Sequence, residues 1–211
     1  MTVKIDGTLG IDKIKDGSVT SSDLIDSINL PGSPTVATAT PGTKNNQLAT
    51  TAYVDGKMVL GTSVATTSGT SIDFTGIPSW VKRVTIMFNG LSTNGTSYKI
   101  VQIGSGSVVT SGYTATNSYI TNTNVCGAWN PATGFSFGDN GTSNNISGQI
   151  TIILLSGNTY ISSNVFGWAN AESSVGGGSV TVNGIIDRVR ITTVNGTDAF
   201  DAGSINIMYE G

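Results

Sequence analysis

The chain has 211 residues, of which 37% are hydrophobic, 7% aromatic and only 11% charged, with a formal net charge of -3. Ser, Thr, Asn and Gly make up 101 of the 211 residues, a composition that favours strands and turns over helices. A collagen-like chain is excluded by 5 prolines and no three-residue glycine period, a coiled-coil rod by the scarcity of Glu, Lys, Leu and Ala, and a duplex-binding protein by 10 Lys and Arg too scattered to form a basic face.

In chain order, the first unit runs over residues 1–33. Residues 1–30 hold eight charges, whereas between Asn89 and Ile186 only Lys99, Asp139 and Glu172 are charged. A shift that sharp marks separate structural units. Ile5, Leu9, Ile11 and Ile14 are apolar, and Asp6-Gly7, Gly10 and Asp16-Gly17 break the chain between them. Frequent turns exclude a long element, although Ser21-Ser22-Asp23 can cap a short helix through Leu24, Ile25 and Ile28. So short a segment cannot close a core alone. It reads as an extended attachment arm that packs on other copies or on a partner, with Ile5, Leu9, Ile11 and Ile14 making the contacts.

The second unit, residues 34–61, begins with prolines and small residues that make an extended linker. Leu48, Thr51, Ala52, Asp55 and Val59 then recur near helical spacing, which predicts a short helix within residues 44–59. An isolated helix of about 12 residues is marginal in water. Its mixed apolar and Thr/Ala face suits packing against copies of itself, so it reads as an oligomerisation helix.

Residues 62–211 form the third unit. Ten strands are predicted: 63–66, 71–74, 81–89, 97–104, 119–123, 148–155, 159–167, 179–182, 185–192 and 204–209. Alternation is clearest where Val81, Arg83, Thr85 and Met87 interleave with Lys82, Val84, Ile86 and Phe88. Asn-Gly or Gly-Asn pairs at 89–90, 94–95, 140–141, 157–158, 183–184 and 195–196 supply the positive φ that tight turns need. Many short strands without a helical pattern predict a mainly β chain with an antiparallel β-sandwich of jelly-roll type. About 150 residues are enough for a real core.

One segment carries a resemblance. Pro41-Gly42-Thr43-Lys44-Asn45-Asn46-Gln47-Leu48-Ala49-Thr50-Thr51-Ala52-Tyr53-Val54 resembles the P-G-T-x-x-x-Q-L-A-T-T-A-Y/F-V string of fibre proteins of tailed bacteriophages. More loosely, Thr75–Val84 and Arg188–Asn206 resemble stretches of small fibre-tip domains. The resemblance implies a homotrimer located in the virion. Its N-terminal arm would dock on a tail, neck or capsid structural protein, and its distal domain would bind a host-surface polysaccharide. It departs from long fibres in having no extended shaft. A head or neck fibre, or a decorating part without a receptor, is the alternative. The residues by themselves predict only more than one copy.

Chemistry in the sequence is sparse. There is no His, so a His-based triad, His metal ligation and a His pH switch are unavailable. The single Cys126 makes neither an intrachain disulfide nor a thiolate zinc cage and reads as a small core residue. Gly104-Ser105-Gly106 and Gly176-Gly177-Gly178 lack the Lys of a phosphate loop and read as turns. Paired carboxylates leave a polysaccharide hydrolase as a third option, but Asp198 and Asp201 read better as turn residues bound to local amides. Their spacing also fits a hard cation, without the alternating oxygen ligands of a calcium loop. No catalytic residue, cofactor or metal is therefore expected. No run is long enough to cross a bilayer and no signal peptide opens the chain, so a protein made in the cytoplasm is expected.

Sugar binding is better motivated, because neutral glycans are held by aromatic faces together with amide and hydroxyl groups. The nearly uncharged span 108–147 reads as loop-like and holds several aromatics among asparagines. Tyr113, Tyr119, Asn122 and Trp129 are the expected glycan contacts. Phe135 and Phe137 alternate as core residues would. Trp80 and Trp168 read as packing residues, and Arg188 and Arg190 as one face of a strand opposite Val189 and Ile191.

Overall fold

The computed structural model describes residues 56–123, 125–142, 144–168 and 171–211. The predicted contacts Ile5, Leu9, Ile11 and Ile14, and the helix positions Leu48, Thr51, Ala52 and Asp55, lie outside them. Among the described residues the chain is mainly β, with fourteen strands and no helix.

In order the strands are β1 (Met58–Leu60), β2 (Val64–Ala65), β3 (Ser71–Thr75), β4 (Arg83–Thr93), β5 (Lys99–Ser105), β6 (Ser107–Val108) and β7 (Thr114–Ile120). They continue with β8 (Cys126–Trp129), β9 (Phe135–Phe137), β10 (Ile146–Ser156), β11 (Thr159–Trp168), β12 (Glu172–Thr181), β13 (Arg188–Thr193) and β14 (Phe200–Glu210). Nine form one sheet in the order β1-β14-β4-β10-β11-β12-β7-β8, with β2 also on β14. Five form a second sheet, β3-β13-β5-β6, with β9 also on β5. Every pairing is antiparallel.

Alternation in the sequence becomes alternation in burial. In β3, Ile72 and Phe74 are buried while Ser71, Asp73 and Thr75 are exposed. In β13, Val189 and Ile191 are buried between the half-exposed Arg188 and Arg190. Apolar side chains of both sheets join one buried cluster, including Ile86, Phe88, Ile150 and Ile207 from the larger sheet and Ile72, Val101, Phe137 and Ile191 from the smaller. At its centre Phe88, Phe137 and Phe166 pack ring on ring, with centroids 4.7 to 5.3 Å apart. Each fully buried side chain of this size contributes about 1.5–3 kcal/mol.

Several local expectations are corrected. Val59 lies not in the expected helix but in β1, paired with Tyr209 of β14, so the sheet also takes in Met58–Leu60. A short β-compatible run beside a long strand gains ladder hydrogen bonds that an isolated helical turn would lack. Span 108–147 is no long loop, because it holds β7, β8 and β9. The strand predicted at 119–123 is displaced to Thr114–Ile120. Gly176-Gly177-Gly178 is not a turn but the middle of β12. A Cβ at Gly176 would stand 2.6 Å from the Thr116 carbonyl oxygen, and one at Gly177 would stand 2.9 Å from that of Ser162. Asn89-Gly90 makes no hairpin. Gly90 takes φ +63° inside β4, where the register with β10 and β14 shifts, as in a β-bulge. The other five pairs lie between strands as predicted.

Candidate functional site

β7 and β8 end the larger sheet, and their register sets the site. Asn117 pairs with Trp129 and Tyr119 with Gly127. Side chains at i and i+2 share a face, so Trp129 and Gly127 line one side of β8, while Asn117 and Tyr119 line that side of β7. The Tyr119 ring lies across Gly127, whose missing side chain leaves the room it occupies. Trp129 stacks on Tyr98, with centroids 4.3 Å apart and planes 9° from parallel. Tyr98, Tyr119 and Trp129 are all half-buried. Burial pushes the Tyr98 hydroxyl pKa up, and neighbouring Tyr119 and Asp139 add to it.

Polar groups adjoin the rings. Lys99, next to Tyr98, is fully buried. Its Nζ donates to the carbonyl oxygens of Asp139 (3.1 Å) and Gly141 (3.4 Å) and lies 3.6 Å from Asp139 Oδ1. Burial lowers the Lys99 pKa, and Asp139 opposes that shift. Asn144 Nδ2 donates to Asp139 Oδ2 at 2.5 Å. Lys99 thereby ties the loop that begins at Asp139 to β5. Asn117, also buried, donates to the Gly138 carbonyl at 2.8 Å and fixes the start of that loop. Trp129 Nε1 is shielded and finds no acceptor. The arrangement offers partly exposed aromatic faces beside amide and carboxylate groups. It suits stacking and hydrogen bonding.

The four predicted contacts divide. Tyr119 and Trp129 come together here. Tyr113 does not, which corrects its assignment as a surface contact. It is 4% exposed and meets Phe135 edge-on at 4.9 Å. Its hydroxyl accepts from the Ile103 amide at 2.9 Å and donates to the Val109 carbonyl at 3.1 Å. Burial pushes its pKa up to about 12. An apolar ring whose hydroxyl has local backbone partners is more stable inside than at a surface. Asn122 is exposed in the β7–β8 connection. It lies past the ladder's last pair, Ile120 with Cys126, whereas Trp129 pairs with Asn117 at the other end.

Sequence reasoning missed Tyr98, Asp139 and Asn144. A signal existed for Asp139: it and Lys99 are two of the three charges in the nearly uncharged stretch, one of each sign. For Tyr98, the signal was an aromatic at a strand entrance just after the Asn94-Gly95 turn. Cys126 is exposed and free, not a core residue, because β8 is an edge strand and Cys126 alternates with the inward Gly127 and Trp129. Phe135 and Phe137 are buried, as is Trp168, whose Nε1 donates to Glu172. Trp80 packs against the core. Asp198 binds one local amide, accepting from Asn195 Nδ2 at 2.6 Å, and one distant in sequence, the Ser97 backbone amide at 2.8 Å, while Asp201 lies in β14 and not in a turn. Among the described residues no group of three His, Cys, Asp or Glu side chains is placed to hold a metal ion. Nor do they contain a helix long and apolar enough to cross a membrane. Comparison with protein families, with characterised proteins and with solved structures finds no match to this chain.

Proposed function

We propose that this protein is a non-enzymatic structural fibre protein of a tailed-phage virion. Three copies anchor by residues 1–33 to a tail, neck or capsid protein and are aligned by residues 34–61. Each presents its β domain to a host-surface glycan. In this reading the two antiparallel sheets stack as a jelly-roll-like β-sandwich, as one apolar cluster drawn from both supports. The resemblance of residues 41–54 to phage fibre segments supports the family. Assembly of copies is supported by apolar side chains left in solvent on the larger sheet. Val165 and Val175 are register partners there, 55% and 63% exposed, and Leu60 is 64% exposed.

The observation that carries the receptor role is the stacked, half-buried Tyr98–Trp129 pair with Tyr119 and the Asp139–Asn144 amide–carboxylate pair beside it. Sugar rings present C–H faces to aromatics and hydroxyls to such polar groups. The test is a glycan array probed with the full chain and with a Tyr98→Ala/Trp129→Ala variant. Binding by the wild type that the variant loses supports the reading. No binding by a folded wild type refutes it and leaves the second reading, a head or neck decoration without a receptor. That second reading is favoured by the shielded Nε1 of Trp129, which marks this ring as partly a packing group.

A further inference from the structure

The face of the five-stranded sheet opposite the core carries a groove of about 330 Å³, which neither the aromatic stack nor any sequence motif accounts for. Its floor is Ile100, Gln102 and Thr192, 1%, 6% and 7% exposed. Gln102 sits this deep because its Nε2 donates to the Thr133 carbonyl at 2.9 Å and holds that segment over the strand. Hydroxyl side chains form the walls, among them Ser71 and Thr110, and Thr133 Oγ1 is buried with no partner. Among the described residues, no aromatic lines it.

Arg190 stands at the groove's end, in register with Asp73 of β3 on one side and Gln102 of β5 on the other. Its Nε and Nη2 donate to the two Asp73 oxygens at 2.7 and 2.8 Å. Both side chains remain more than a third exposed, at 38% and 37%. A guanidinium has five N–H groups and a carboxylate about four acceptor sites. The pair uses two of each, leaving about three donors and two acceptors side by side. Next to it, Arg188 is likewise joined to Asp187, Nε to Oδ1 at 2.7 Å. A second hollow of about 220 Å³ continues past Arg188 and Arg190. The two arginines and two aspartates sum to no net charge, so the groove does not attract an anion. A vicinal diol is both donor and acceptor and carries no charge. It matches what the Arg190–Asp73 pair has left, and further hydroxyls match the Thr, Ser and Gln walls.

We propose that this groove is a second carbohydrate site, selective for neutral saccharides, with Arg190 and Asp73 jointly gripping a diol. The inference takes its ligand class from the glycan-binding reading above but rests on a different surface.

The experiment is a two-dimensional amide NMR titration of the full chain. The probes are neutral trisaccharides of glucose, galactose and mannose, with a galacturonic acid trisaccharide alongside. At least one neutral probe is expected to shift the Ser71, Gln102 and Thr192 amides at millimolar concentration, equally at low and high salt. Arg190→Met and Asp73→Asn should each weaken that binding about tenfold, which is about 1.4 kcal/mol. Ser71→Tyr, which fills the groove without touching the ion pair, should abolish it, with near-ultraviolet circular dichroism confirming that each variant folds. Trp129→Ala should leave these shifts intact, and that separates this site from the aromatic stack. No shift with any neutral probe overturns the proposal. So do shifts produced only by the uronic acid and lost in salt, which mark plain charge attraction, and shifts lost with Trp129→Ala.

Discussion

Replacing Asp139 by Asn is expected to destabilise the fold by about 3 kcal/mol, at the lower end of what breaking a buried ion pair costs. Lys99 has no exposed surface and its ammonium cannot turn to water. Losing the carboxylate leaves that charge without a counter-charge, held by neutral acceptors such as the carbonyls of residues 139 and 141. These two hydrogen bonds keep the cost at the low end. In a domain of this size 1 kcal/mol moves Tm by about 2–4 °C, so Asp139→Asn should lower it by about 6–12 °C. Lys99→Met removes the charge and fills much the same volume. Asp139 then keeps Asn144 and its 13% side-chain exposure, and Tm should move by no more than about 4 °C. The pH dependence follows from the lowered Lys99 pKa. Unfolded, Lys99 titrates near about 10.4; folded, it releases its proton earlier. Between those two values the unfolded chain binds more protons, so stability rises with pH there, and below the folded value the burial penalty is present in full. The wild type should therefore gain stability relative to Lys99→Met as pH approaches 10. Differential scanning calorimetry of the three proteins across pH tests both statements. An unchanged Tm for Asp139→Asn with a large fall for Lys99→Met would refute the reasoning, because Lys99 would then contribute by packing and not as a held charge.

Gly127→Ala should abolish glycan binding on the array while lowering Tm by only a few degrees, because the added methyl group displaces the Tyr119 ring on an edge strand. Tyr113→Phe should leave glycan binding intact and cost about 1–3 kcal/mol by chemical denaturation, since the Ile103 amide loses a buried partner. Spectrophotometric titration should show one tyrosine ionising only near pH 12, in keeping with the raised pKa of Tyr113. Unfolded, that hydroxyl ionises near about 10, so its contribution to stability is present below that value and is lost as pH climbs towards 12.

Period-two alternation made most of the strands legible. Ile72 and Phe74, or Val189 and Ile191, needed no more than the burial of every second residue. Legibility failed where the deciding partner was distant in sequence. Val59 is drawn into a strand by Tyr209, and no local pattern announces a partner so far along the chain. The glycine run at 176–178 looks like a turn until Thr116 and Ser162 are placed against it. At the site, aromatic content in a polar stretch found Tyr119 and Trp129. It could not separate them from Tyr113, whose ring is held in the core by contacts with Ile103 of β5 and Phe135 of β9 that alternation along its own segment does not reveal. Tyr98 escaped because its role comes from a stacking partner on another sheet.

Native mass spectrometry of the full purified chain at micromolar concentration tests most directly whether this is a self-assembling appendage. A single species at three times the 21.6 kDa chain mass is predicted. A stable lone monomer under the same conditions would contradict the account.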